Sequence, residues 1–261
     1  MPSRELRPRL LLAAAAAFHI APLQATAAQA LSVAAAANLG FALKALDEEY
    51  SKEQPDVTVT ASTAASGDLV AQIEHGAPYD VFLSADVHFA QVLAKSGAAD
   101  PKSMTVFAIG RLVLWTTKPG LAVDDVAATV RDPRVMRLAI ANTETAPYGR
   151  AAHQAMEKLG AWADAQPKLV VGESISQATQ FVETGNADAG FVALSVVLSP
   201  KLRGKGTWSE VSPSLYDPLE QGAVITLHGA QNPAAQSFLA FLHGDAARKI
   251  LQDFGYRIPR P

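Results

Sequence analysis

The chain has 261 residues, no cysteine and a formal net charge of −3 at neutral pH. A cysteine-free sequence excludes disulfides, thiolate metal sites and cysteine nucleophiles, and mild acidity argues against nucleic acid as a partner. The length suits one large or two small domains once any leader is set aside.

Arg4, Arg7 and Arg9 precede Leu10-Leu11-Leu12 and an alanine-rich run, and Ala25-Thr26-Ala27 and Ala28-Gln29-Ala30 both fit a small-residue cleavage pattern. Residues 1–30 are therefore expected to be a secretory signal peptide, with Leu31 the first mature residue. A membrane anchor is disfavoured because the apolar core is short and broken by His19 and Pro22. Cleavage removes three arginines and one glutamate, leaving a mature charge of −5. A chain so charged must hold an anion with locally aimed dipoles, not with net charge.

Downstream, strand-like runs and helical stripes alternate. An apolar run at 31–35 breaks into Ala34-Ala35-Ala36-Ala37-Asn38-Leu39, and a helix over 38–52 carries Leu39, Leu43, Leu46 and Tyr50 at steps of four, three and four. Asn38 stands where an N-cap belongs. Strands at 57–61 and 80–84 lead to helices at 66–75 and 86–95, and strands at 105–108 and 112–116 follow. A strand at 138–141 leads to a helix at 148–159, and one at 169–171 to a helix at 175–184. Strands at 190–193 and 222–227 and helices at 233–243 and 245–254 complete the set. Such alternation predicts parallel α/β sheets, whose ligands bind at the carboxyl ends of strands. The segment from Ser66-Gly67-Asp68-Leu69 to Asp80-Val81-Phe82 is echoed from Ser174-Ile175-Ser176-Gln177 to Phe191, which points to two lobes of similar plan. Crossovers near 109–110 and 217–222 would make a hinge.

Four strand-to-helix junctions share one device, a turn of small residues that leaves helix N–H groups unpaired. The first ends at Asn38. The second, Ala61-Ser62-Thr63-Ala64-Ala65-Ser66-Gly67-Asp68, offers Ser66 as an N-cap or anion-facing hydroxyl. The third, Ala141-Asn142-Thr143-Glu144-Thr145-Ala146-Pro147-Tyr148-Gly149, sets Tyr148 at a helix mouth, as core packing or as a donor. The fourth, Gly172-Glu173-Ser174-Ile175-Ser176, offers backbone donors around Ile175. None supplies lysine or arginine, so a proton-free tetrahedral dianion would suit them. Monohydrogen phosphate would also need an acceptor, and Asp68 is the carboxylate close enough in sequence, unless it only favours its helix start. Ser66 lacks the flanking glycines of a nucleophile elbow, which leaves a secreted hydrolase as a rival reading. His75, His88, His153, His228 and His243 lack metal-ligand spacing, and Trp115, Trp162 and Trp208 read as packing.

These residues carry a resemblance. Gln72-Ile73-Glu74, the run from Gly76-Ala77-Pro78-Tyr79 to Ser84-Ala85-Asp86, Ala146-Pro147-Tyr148-Gly149, Lys158-Leu159-Gly160-Ala161-Trp162, the run from Gly190 to Ser195 and Phe254-Gly255-Tyr256 join the first two junctions as markers. In this order the mature chain resembles the periplasmic molybdate-binding proteins of molybdate ABC transporters, of the type II periplasmic binding-protein class. The resemblance implies a two-lobed α/β fold, each lobe a mostly parallel sheet flanked by helices, with ligand in the inter-lobe cleft. Lobe 1 would hold 31–108 and 223–261, and lobe 2 would hold 109–222. It implies oxyanion contacts from Asn38, Ser66 and Tyr148 and from the backbone at Ile175. Ala37 stands where one group of the family has threonine, and Ala193 where many members have their binding tyrosine. Molybdenum would enter only as the oxyanion, molybdate or tungstate, with no catalytic residue and no cofactor. The expected partner is a membrane ABC permease, and the expected state a periplasmic monomer. Receptors for sulfate or phosphate, or an anion sensor, are the rivals in that class.

Overall fold

The structure is a computed structural model and describes residues 29–260. All but the last two residues of the expected signal peptide lie outside the described residues. Gln29 and Ala30 open the first strand and pair with Val57 and Thr58.

The first part of the chain runs β1 (Gln29–Ala36), α1 (Gly40–Glu53), β2 (Val57–Ala64), α2 (Ser66–Glu74), β3 (Val81–Ser84), α3 (Val87–Ser96) and β4 (Thr105–Ile109). The middle part runs β5 (Leu112–Thr116), α4 (Val126–Arg131), β6 (Leu138–Ala141), α5 (Pro147–Lys158), α6 (Trp162–Ala165), β7 (Leu169–Gly172), α7 (Ile175–Glu183), β8 (Ala189–Ala193), α8 (Leu194–Val197) and β9 (Thr207–Glu210). The last part is β10 (Glu220–Ile225), α9 (Pro233–Leu242) and α10 (Asp245–Asp253). The stripe read from sequence, Leu39, Leu43, Leu46 and Tyr50, is buried, and the Tyr50 ring meets Phe238 edge-on at 5.1 Å. β3, β8 and the last four residues of β1 are buried on both faces, as expected of strands covered by helices on two sides.

The strands form two five-stranded sheets of the same plan, β2-β1-β3-β10-β4 and β7-β6-β8-β5-β9. In each, the first three strands are parallel, and the fourth pairs antiparallel with both of its neighbours. Four strands of each sheet thus run one way. The reversed strand is the one that enters directly from the other sheet, β5 through Gly110-Arg111 and β10 through residues 211–219. A strand arriving there starts at the edge where its neighbours end, so it must run against them. This is a two-lobed type II binding-protein fold, each lobe a mostly parallel sheet flanked by helices.

Two details differ from the sequence reading. The strand expected at 222–227 runs Glu220–Ile225, because Glu220 and Gln221 pair with Ile109 and Ala108. The edge strand β9 is too short to show periodicity, and its Trp208 is 40% exposed where packing was expected. Trp115 is buried as expected, its Nε1 donating to the Lys205 carbonyl at 2.9 Å.

The start of α5 lies directly on the end of β6. A Cβ at Gly149 would stand 2.3 Å from the Ala141 carbonyl oxygen and 2.4 Å from that of Asn142. Backbone cannot yield as a side-chain tip can, so Gly149→Ala must displace α5. We expect it to lower unfolding free energy by about 1–3 kcal/mol, measured by urea denaturation.

Candidate functional site

The four junctions converge on one small cavity between the sheets, of about 10 Å³. Its walls are Ala36, Ala37 and Asn38 after β1, Ala64, Ala65 and Ser66 after β2, and Ala85 after β3. Ala146, Pro147 and Tyr148 from the start of α5 and Ile175 from the start of α7 close it from the second lobe. Five of the positions named from sequence, Ala37, Asn38, Ser66, Tyr148 and Ile175, therefore share a wall. Asp68 is not among the lining residues.

At the first junction the extended residue is Ala36, and Ala37–Leu39 form one 3-10 turn. Asn38 is therefore inside the turn and is not its cap. The N–H groups that open such a turn have no acceptor within it, so Ala37 and Asn38 present main-chain donors. The Asn38 carboxamide faces the protein: its Nδ2 donates to Gln221 Oε1 at 2.7 Å and to the Tyr256 hydroxyl at 2.8 Å. Both amide hydrogens are thus committed, and Oδ1 has no partner among the described residues. The Asn38 carbonyl accepts from the Tyr256 hydroxyl at 3.0 Å and from Ser195 Oγ of the second lobe at 2.9 Å.

At the second junction Ala65 takes the cap position and Ser66 is the first helical residue, fully buried. Ser66 Oγ accepts from the Ala85 N–H at 3.0 Å, which leaves its own O–H to donate. Its partner is a backbone amide and not a base, so nothing there activates it as a nucleophile. At the fourth junction Ser174 caps α7 by accepting from the Gln177 N–H at 3.4 Å, and Ile175, the first helical residue, lines the cavity.

Tyr148 follows Pro147 in the first turn of α5 and is 1% exposed. Its hydroxyl fills the space that a Cβ at Gly110 would need, 2.2 Å from that position, and its O–H finds no acceptor among the described residues. Burial holds its phenol well above the ordinary value; Tyr256 and Tyr216 add to that, and the Arg111 N–H and Asn38 amide oppose it. Burial also raises Tyr256, Tyr216 and Tyr50.

The lobes touch around the cavity. The Gly67 N–H donates to the Thr145 carbonyl at 2.9 Å, and Ser176 Oγ donates to the Ala37 carbonyl at 3.2 Å. Arg150 forms an ion pair with Asp86, with its guanidinium 5.9 Å from the Phe89 ring centre. Arg150 is thereby committed, and the cavity itself is lined by no charged side chain. Among the described residues no cluster of metal-ligating side chains occurs.

Sequence reasoning assigned no role to Gln221, Ser195, Tyr256 or Arg150. Ser195 and Tyr256 fell inside recognisable motifs, which was the only signal they gave.

A family model described as bacterial extracellular solute-binding protein matches residues 31–257. The chain belongs to that family. Among relatives of this solute-binding protein, the molybdate-binding protein ModA of Azotobacter vinelandii is 44% identical over 239 residues, 90% of this chain and 94% of the relative. ModA of Rhodobacter capsulatus is 42% identical over 204 residues, 78% of this chain and 79% of the relative. The solved periplasmic molybdate-binding protein of Azotobacter vinelandii superposes with a TM-score of 0.83 at 36% identity, covering 88% of this chain and all of that one. The sulfate-binding protein SubI of Mycobacterium tuberculosis, at 16% identity and a TM-score of 0.72, shares the fold.

The raised tyrosines carry a stability prediction. Their contribution is fully present below the ordinary tyrosine value of about 10 and is lost as pH rises through the higher folded values. Absorbance titration at 295 nm is expected to show Tyr50, Tyr148, Tyr216 and Tyr256 ionising only as the fold is lost in alkali. Tyr148→Phe should remove amplitude from that late phase alone.

Proposed function

We propose that this chain is a periplasmic receptor that closes two lobes around one molybdate or tungstate dianion and delivers it to a membrane ABC permease. The lobes would be the chain up to Ile109 with residues from Glu220 onward, and residues 110–219 between them. The observation that carries this reading is the Tyr148 hydroxyl, a buried donor without an acceptor among the described residues, at a small cavity lined by uncharged groups from both lobes. An unsatisfied buried polar group costs about 1–3 kcal/mol, which a ligand oxygen would recover. The relatives named for molybdate support the choice of anion.

In this reading the donors are the main-chain N–H groups of Ala37 and Asn38, the hydroxyls of Ser66 and Tyr148, and the N–H of Ile175. Asn38 acts through its backbone, because its carboxamide hydrogens are already used. Helix starts add partial positive charge without a counter-ion. No lining carboxylate accepts the proton of monohydrogen phosphate, and sulfate, a smaller tetrahedron, meets fewer fixed donors. Closure is favoured only when both lobes touch one anion, and that differential contact shifts the open–closed equilibrium. The receptor works as a monomer with a cleaved leader, without cofactor, catalytic residue or nucleic acid.

Thermal-shift measurement with molybdate, tungstate, sulfate and phosphate should raise Tm strongly for the first two. A response to sulfate or phosphate alone overturns the reading. Tyr148→Phe removes a hydroxyl whose hydrogen has no acceptor among the described residues, so the ligand-free Tm should change little. Molybdate Kd by calorimetry should weaken by about tenfold. An unchanged Kd would remove Tyr148 from the site.

A further inference from the structure

We infer that Gln221 is a positioning residue of the oxyanion site, setting the first junction through Asn38 and joining the cavity wall to both crossovers. This rests on the oxyanion reading of the cavity. Gln221 is fully buried on β10, the strand that follows the second crossover, and the register with β4 shifts between Gln221 and Gly222. A bulge of this kind re-aims a side chain. Here it turns a carboxamide into the interior, where each polar atom needs a partner.

All of its groups find one. Nε2 donates to the Ala85 carbonyl and to the Leu219 carbonyl, both at 2.8 Å, and Oε1 accepts from Asn38 Nδ2 at 2.7 Å. Ala85 and Asn38 are cavity wall, at the ends of β3 and β1. Leu219 belongs to the second crossover, and its carbonyl also accepts from the N–H of Gly110 in the first, at 2.8 Å. A Cβ at Gly110 would stand 3.0 Å from Gln221 Nε2 and 2.2 Å from the Tyr148 hydroxyl. One amide therefore links the two strand ends that face the anion to the two segments that must bend when the lobes part. Gln221 does not itself line the cavity. Its effect on the anion passes through Asn38, whose carboxamide it shares with Tyr256 and whose neighbouring N–H groups are aimed accordingly.

The test is a double-mutant cycle in the mature chain, with molybdate Kd by calorimetry and ligand-free Tm recorded separately. Gln221→Met keeps the volume and removes every hydrogen bond, and Gln221→Glu keeps an acceptor for Asn38 but loses both donors. Each is made alone and in an Asn38→Leu background. Positioning through Asn38 predicts that either Gln221 variant weakens molybdate binding by about tenfold, and that the loss largely disappears when Asn38 is already Leu. A merely structural glutamine lowers Tm and leaves Kd of the folded protein unchanged, which overturns the inference. A loss that persists undiminished in the Asn38→Leu background, as through-space repulsion by Glu would give, overturns it too. If Gln221→Met does not fold, the Gln221→Glu cycle decides. A parent that binds neither molybdate nor tungstate overturns the functional reading and this inference with it, whereas a tight-binding parent with unaffected variants overturns the positioning role alone.

Discussion

An acidic chain that is to enclose a doubly charged anion without a cation has few ways to do so. Unpaired main-chain N–H groups at helix starts supply donors and partial positive charge together, but each start offers only two or three of them. Several starts must therefore be brought to one point, from directions that surround a tetrahedron. That constraint accounts for two sheets of the same plan facing each other across their carboxyl edges, with β1 and β2 feeding helix starts from one side and β6 and β7 from the other. It accounts as well for the alanines at 36, 37, 64, 65, 85 and 146 that make up half of the cavity wall. Any larger side chain there would hold the backbones away from the ligand.

The reversed strands β5 and β10 follow from the same arrangement. Each begins at the edge where the others end, so both crossovers pass close beside the cavity. Tyr148, a wall residue, is lodged against Gly110, and Gln221 reaches Leu219, so cavity wall and crossovers are in direct contact. The outer contacts across the cleft are of a different kind. Gly67 to Thr145, Ser176 to Ala37 and Arg150 to Asp86 tie one lobe to the other without entering the cavity. Arg150 neutralises Asp86, next in the chain to the wall residue Ala85, whose charge would otherwise oppose an incoming anion. The pair is partly solvated through Arg150, so its direct electrostatic contribution is small.

Much of this was legible in the sequence because its signals are local. Small-residue turns before amphipathic stripes located all four junctions, and burial of Leu39, Leu43, Leu46 and Tyr50 follows from helical spacing alone. What the sequence misplaced was the cap. Asn38 and Ser66 are good cap residues, yet alanines at 36 and 65 hold the extended conformation at which the helices begin. The choice is made by the sheet, which keeps β1 and β2 extended to the last paired residues, Ala36 and Ala64. Freed from capping, Asn38 turns its amide inward and Ser66 its hydroxyl toward β3. The partners that make this possible, Gln221, Tyr256 and Ser195, lie more than a hundred residues away, and no periodicity announces them.

Ala37 shows how the donor set tolerates variation. The serine nearest to it across the cleft, Ser176, spends its hydroxyl on the Ala37 carbonyl and does not replace the threonine found there in one group of the resembled family. The proposed donor set would then have one hydroxyl fewer and lean more on peptide N–H groups. Peptide donors cannot rotate away as a hydroxyl can, so their value depends on how firmly the turn is held. The Ala37–Leu39 turn is held at its centre: the Asn38 carbonyl takes two hydroxyls and its carboxamide takes Gln221 and Tyr256. In the proposed site, rigidity built at Asn38 would offset the missing side-chain donor at Ala37, which places more of that site's performance on groups that never touch the anion.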